Sequence, residues 1–135
     1  MEPSTRDYAQ VATRHGVALL YLFGSRAGET AAAGSDWDFA ALFDADPGAE
    51  LLPRCAALQL ELERCLENRV DVTALNDADP VLRFEVIAGG RPVYAHSERE
   101  RVLFEARVLR EYHDSAHRRR VYAEATRRYF RGPEP

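Results

Sequence analysis

Two aspartates, Asp36 and Asp38, stand one residue apart in the segment DWDFAALFD (residues 36–44), which predicts a strand. Side chains alternate along a strand, so we expect both carboxylates on one face, with Cα atoms about 6.7 Å apart, and Trp37 and Phe39 on the other. Two like charges on one face are costly unless a cation neutralises them, and Mg²⁺ binds carboxylates together with substrate phosphates. The pair therefore predicts a magnesium site.

A glycine and a serine, Gly24 and Ser25, precede this pair by ten residues and follow the apolar run VALLYLF (residues 17–23), which is typical of a strand buried on both faces. Glycine lets the backbone approach a phosphate closely. We expect Ser25 to cap a following helix and to offer its hydroxyl and N–H to phosphate oxygens, with Arg26 adding positive charge.

A third carboxylate, Asp71, lies in the alternating segment VDVTAL (residues 70–75), which predicts another strand. Its side chain is expected to point away from those of its two valine neighbours and to complete a cluster with Asp36 and Asp38. Two metal ions about 3.5 to 4 Å apart stabilise the attacking and leaving oxygens of an in-line displacement at phosphorus. The three aspartates therefore indicate phosphoryl or nucleotidyl transfer.

The rest of the chain predicts the elements that position these residues. Helices are expected over residues 4–16, 50–67, 79–90 and 97–130, an extended piece over 92–94 and a turn over 46–48. Ser4, Asp79 and Ser97 have the spacing of N-terminal caps, and Asn68 is expected to end the second helix. The polar residues 113–120 are expected to interrupt the last helix.

Size and charge limit the possible functions. The 135 residues predict one domain over residues 1–135, with a core over about 7–95 and a helical segment over about 97–131. All 18 basic residues are arginine, which excludes lysine Schiff-base and P-loop chemistry. The net charge is −7 over residues 1–97 and +3 over residues 98–135, and the acidic body argues against nucleic acid as the main ligand.

Cys55 and Cys65 are expected as reduced core residues, because ten residues of one helix separate them by about 15 Å. The longest apolar run has seven residues, far fewer than the roughly 20 that span a bilayer, and the polar start does not resemble a secretory signal. We therefore expect a cytoplasmic protein. His15, His96 and His113 lack metal-ligand spacing and are expected at the surface.

The spacing Gly-Ser-x10-Asp-x-Asp resembles that of the nucleotidyltransferase superfamily that includes DNA polymerase beta, and specifically its minimal (MNT) branch. The resemblance continues through RVDVTALND and PVLRFEVIAGGRPVY and covers most of residues 17–95. It implies an α+β (α/β) fold: the polymerase beta-like nucleotidyltransferase fold, a small mixed β-sheet with helices packed against one face. The C-terminal helical segment is an extension of that fold.

The resemblance also implies roles for the site residues. Asp36 and Asp38 would hold two Mg²⁺ ions, Asp71 would bind the catalytic metal or serve as the base, and Gly24 and Ser25 would contact the triphosphate of ATP, the nucleotide substrate. In one departure, many relatives carry a second arginine shortly after Gly-Ser-Arg, where this chain has a glycine and then a glutamate, at positions 28 and 29.

Stand-alone MNT proteins of this size resemble the antitoxins of HEPN/MNT toxin-antitoxin pairs, which transfer AMP from ATP to a tyrosine of a HEPN ribonuclease. The resemblance thus implies a Mg²⁺-dependent protein adenylyltransferase in a type VII-like pair, forming a hetero-oligomer with a HEPN-family toxin. Two alternatives stay open: a nucleotidyltransferase acting on a small molecule, and an antitoxin that acts by binding alone.

An arginine-rich cluster near the C-terminus includes three aromatic residues. It is either a solvated helix face or a docking surface for an acidic partner, with weak RNA contact as a further option. The cluster consists of Arg118, Arg119, Arg120, Arg127, Arg128 and Arg131 with Tyr122, Tyr129 and Phe130.

Overall fold

The computed structural model describes residues 2–28, 36–44 and 50–132. Within these ranges the predicted helices and strands are present, and the extended piece expected at 92–94 is a full strand. In chain order the elements are α1 (Thr5–Arg14), β1 (Val17–Phe23), a 3-10 turn (Gly24–Ala27), β2 (Trp37–Phe43), α2 (Leu51–Leu66), β3 (Val70–Ala74), α3 (Pro80–Gly89), β4 (Arg91–Ala95) and α4 (Glu98–Arg131). The turn predicted at residues 46–48, and Glu29, lie outside the described residues.

The four strands form one mixed sheet, as the resemblance implies, and their order in it is β3-β2-β1-β4. Strand β1 is antiparallel to both β2 and β4, whereas β2 and β3 are parallel. The C-terminal end of β1 therefore lies beside the beginnings of β2, β3 and β4. We call this edge of the sheet the site end, because the predicted site residues lie there.

Helices cover both faces of the sheet, and the expectation of helices on one face is wrong. Leu20, Leu22 and Phe39 pack on one face against α1 and α2. On the other face, Leu19 and Tyr21 pack against α3 and α4. Because six of the seven residues of β1 are buried, alternate side chains of this strand must be covered on opposite faces.

The predicted caps at Ser4, Asp79 and Ser97 are confirmed by side-chain bonds to backbone N–H groups. At the end of α2 the prediction is wrong: Glu67, with φ of 52°, is the left-handed cap, and Asn68 instead accepts a hydrogen bond from the next N–H through its side chain. The sequence favoured Asn68 because asparagine tolerates this conformation better than glutamate.

The break predicted within residues 113–120 is absent, and α4 continues through them. Tyr112 stacks on Phe84 of α3 with ring centroids 4.0 Å apart, and Arg119 lies 5.5 Å above the Tyr112 ring. These contacts anchor the polar stretch together with Ser115, which is buried, and the other residues of the stretch are exposed or half-exposed. Polarity alone does not end a helix whose residues are mostly good helix formers.

Two further expectations need correction. Cys55 is half-buried but Cys65 is exposed, because residues at steps of four (Leu58, Leu62 and Leu66) fill the inward stripe of α2; both thiols are free. His15 is largely buried and pairs with Glu61 rather than standing isolated at the surface.

Among the described helices, none combines the length and apolar character needed to cross a membrane.

Candidate active site

The three predicted aspartates meet at the site end of the sheet. Asp38 and Asp71 are direct partners in the parallel register of β2 and β3, so about 4.8 Å separates their strands. Asp36 is exposed and lies one residue before β2 begins. The mixed topology thus brings together carboxylates from two strands that a helix separates along the chain.

Gly24 lies directly against this cluster. The residue before it, Phe23, pairs with Asp38 across β1 and β2, and Gly24 itself has φ of +73°. A Cβ atom at this position would lie 2.5 Å from Oδ2 of Asp38. The left-handed backbone therefore favours glycine, and a larger residue would also displace the Asp38 carboxylate.

Ser25 does not cap a helix as the sequence predicted. It lies inside the four-residue 3-10 turn, whose N-cap is Phe23 and has no side-chain cap bond. The left-handed Gly24 turns the chain sharply at the end of β1, and the turn starts there rather than after Ser25. Ser25 is nevertheless next to Gly24, at the same end of the sheet as Asp38.

Arg26 reaches back over the first residue of β2. Its guanidinium lies 4.8 Å from the ring centroid of Trp37, at cation-π distance. Trp37 in turn stacks on Phe39, with centroids 6.5 Å apart and planes 11° apart. The positive charge of Arg26 therefore lies on the aromatic face of β2, the strand that also carries Asp38.

The surroundings of Asp38 raise the electrostatic energy of its ionised carboxylate. Partial burial raises the pKa of Asp38, and the charges of Asp71 and Asp36 raise it further. Each of these causes penalises the ionised form of Asp38. A cation bound between these groups would remove the penalty.

The residues fit Mg²⁺ bound together with a nucleotide better than a closed protein cage. Within the described ranges, no three histidine, cysteine or acidic side chains form a group that could hold a metal ion alone. Mg²⁺ is usually bound through one or two carboxylates plus waters and substrate phosphates. Asp36, Asp38 and Asp71 would provide the carboxylate share of such a site.

A polar groove runs from the aspartates to α2. Its volume is about 310 Å³, and its lining combines side chains of α2 with the residues around the start of β3. The lining residues are Asp36, Gln59, Glu63, Arg69, Val70 and Asp71. Sequence reasoning missed Gln59, Glu63 and Arg69. The first two lie four residues apart on one side of α2, but only the packing of α2 beside β3 shows what they face.

Comparisons with known proteins agree with this geometry. The family model described as polymerase beta, nucleotidyltransferase matches residues 8–99. A search of curated protein sequences finds no significant match.

Several solved structures have a similar fold. A chain of a toxin-antitoxin complex with AMP-PNP is 23% identical, with a TM-score of 0.73 over 92% of this chain and 99% of that one. A chain from the complex of tri-AMPylated Shewanella oneidensis HEPN toxin with MNT antitoxin is 22% identical, with a TM-score of 0.66 over 90% and 95%. A protein described as a minimal nucleotidyltransferase is 33% identical, with a TM-score of 0.55 over 65% and 87%.

The family match spans two thirds of the chain and includes every predicted site residue. It also includes all four strands, α2, α3 and most of α1. The chain therefore belongs to the polymerase beta nucleotidyltransferase family.

Proposed function

We propose that this chain is a Mg²⁺-dependent adenylyltransferase that moves AMP from ATP to a tyrosine of a HEPN-family toxin and thereby acts as its antitoxin. The observation that carries the proposal is the position of Asp38, which pairs with Asp71 and lies against Gly24, with Asp36 one residue before the same strand, in a member of the nucleotidyltransferase family. Proteins of similar fold include one crystallised with AMP-PNP and one bound to an AMPylated HEPN toxin.

Each site residue has a role in this reaction. Mg²⁺ held by Asp36, Asp38 and Asp71 would neutralise the charge that develops on the phosphate oxygens. The Gly24 backbone lets a triphosphate approach closely, and Ser25 contributes hydrogen-bond donors to it.

Transfer itself is one displacement at phosphorus. The tyrosine oxygen forms a bond to the α-phosphorus, the bond between the α-phosphorus and the bridging oxygen breaks, and pyrophosphate leaves with that electron pair. The phenolic proton passes to the carboxylate of Asp71 or to water. Asp71 is suited to this step because it lies on the edge strand, where an incoming hydroxyl can reach it.

The free end of α4 favours a protein acceptor over a small molecule. After Ser115, every described residue is exposed or half-exposed. Tyr122, Tyr129 and Phe130 are 75%, 80% and 79% exposed, although they continue the helix stripe that buries Val108. The surrounding arginines give this segment a positive charge. Arginine and tyrosine are enriched where proteins bind one another, so we assign this segment to docking an acidic surface of the toxin.

The first prediction concerns catalysis. Asp38→Asn and Asp71→Asn are each expected to lower AMP transfer at least about 100-fold, since changes that only reorient metal ligands already cost about 10- to 100-fold. Intact mass spectrometry of a HEPN-family toxin protein, incubated with this chain, ATP and Mg²⁺, measures the transfer. Asp44→Asn is the matched control, because Asp44 follows the opposite end of the same strand. Undiminished transfer by either site variant would contradict the assignment.

A second prediction follows from the raised pKa of Asp38. The Asp38 carboxyl group binds its proton more tightly in the folded chain than in the unfolded chain. The ionised Asp38 therefore lowers the free energy of unfolding at neutral pH. This penalty diminishes as the pH falls through the folded pKa and vanishes below the unfolded one. Without divalent cations, Asp38→Asn should therefore raise Tm at pH 7, and the gain should shrink toward about pH 4.

Thermal unfolding across this pH range measures the effect, again with Asp44→Asn as the control. Mg²⁺ together with AMP-PNP should raise the Tm of the natural chain more than that of Asp38→Asn. A Tm gain that is equal at both pH values would show that the carboxylate charge is not its cause.

The third prediction concerns docking. Tyr122→Ala combined with Tyr129→Ala should weaken binding of the HEPN protein about 10-fold or more, since exposed aromatic anchors dominate many interfaces. Tm should stay unchanged, because neither side chain is buried. The control is Leu103→Ala, which removes an exposed apolar side chain from the anchored half of α4. If calorimetric titration gives equal affinities, the docking role is wrong.

A further inference from the structure

The site residues are arranged in a line across the sheet. Gly24 follows the last residue of β1, Asp38 lies on β2 and Asp71 lies on β3, and these three strands are successive neighbours. The groove lined by Gln59, Glu63 and Arg69 adjoins Asp71, between α2 and the beginning of β3. The order across the molecule is thus glycine turn, Asp38, Asp71 and groove.

An in-line displacement imposes a direction on this arrangement. The attacking oxygen and the leaving oxygen lie on opposite sides of the phosphorus. In the proposed function, the leaving pyrophosphate lies over Gly24 and Ser25, at the end of β1. The attacking hydroxyl must therefore arrive from the opposite side, past Asp71, which is where the groove lies.

The surroundings of the groove suit an incoming protein segment. Among the described residues no strand pairs with the outer edge of β3, so this side of the sheet is open. The volume of about 310 Å³ is at the lower end of the range for ligand pockets and suits one side chain with parts of its neighbours. None of the described residues that line the groove is aromatic, so these residues offer no ring on which a nucleobase could stack.

We propose that this groove is the acceptor-binding site, and that Gln59, Glu63 and Arg69 determine which hydroxyl-bearing segment is accepted. This inference rests on the proposed function. In the proposed function Asp36 and Asp71 bind the metal ion, and Asp71 can accept the proton. The side chains that remain to contact the acceptor are the carboxylate of Glu63, the guanidinium of Arg69 and the amide of Gln59. The occupant is therefore a polar segment of the partner protein, in which charged side chains of both signs flank the modified tyrosine.

The test separates acceptor binding from nucleotide binding. Glu63→Ala and Arg69→Ala should each raise the KM for the HEPN protein about tenfold, as expected for losing one charged contact at an interface. At saturating acceptor, kcat should remain within about twofold, and so should the affinity for Mg²⁺ with AMP-PNP. Arg64→Ala is the matched control. Arg64 is an exposed arginine on α2, the helix that carries Glu63, and it does not line the groove.

Calorimetric titration of the HEPN protein in the presence of Mg²⁺ and AMP-PNP gives a second readout that needs no turnover. The affinity should fall about tenfold in both groove variants and in Gln59→Ala, while Arg64→Ala binds normally. Absence of transfer by the natural chain would overturn the proposed function, and the titration would still test the groove. Unchanged acceptor affinity in all groove variants, or a loss of AMP-PNP affinity instead, would overturn the acceptor assignment.

Discussion

Repulsion among three carboxylates is the constraint on which the site end of the sheet depends. The register of two parallel strands holds Asp38 beside Asp71, and partial burial together with the charges of Asp71 and Asp36 raises the pKa of Asp38. Replacing one of these aspartates with a neutral residue would lower this repulsion, so the cluster does not serve folding stability. The protein instead keeps the carboxylates together at the ends of rigid strands, where a cation can bind them together with substrate phosphates.

The rest of the fold provides that rigidity. Strand β1 lies in the middle of the sheet with helices on both faces, and it ends at Gly24. Gly24 in turn lies so close to Asp38 that a Cβ atom would not fit between them. On the opposite face of β2, the stacked Trp37 and Phe39 anchor the strand that carries the carboxylate. The buried aromatic side chains on one face of β2 thus fix the position of the Asp38 carboxylate on its other face.

Much of this could be predicted from the sequence, because the determining signals are local. The apolar run of β1, the alternation around Asp71 and the cap at Asp79 depend on neighbouring residues alone, and each element is present as predicted. The grouping of the aspartates followed from their spacing, although the spacing does not state which strands pair.

Other features depend on contacts that the sequence does not contain. The second face of the sheet is covered by α3 and α4 together, and the sequence pattern does not show on which face these helices pack. The 3-10 turn replaced the helix expected after Ser25 because the left-handed Gly24 sets the direction of the chain. The groove residues Gln59 and Glu63 become neighbours of Asp71 only when α2 packs beside β3.

The central claim is that the carboxylates hold a cation together with the nucleotide, and calorimetric titration with AMP-PNP, with and without Mg²⁺, tests it most directly. The account predicts that Mg²⁺ strengthens AMP-PNP binding more than about tenfold in the natural chain and has little effect in the double variant Asp36→Ala/Asp38→Ala. Equal affinity of the natural chain with and without Mg²⁺ would contradict the claim.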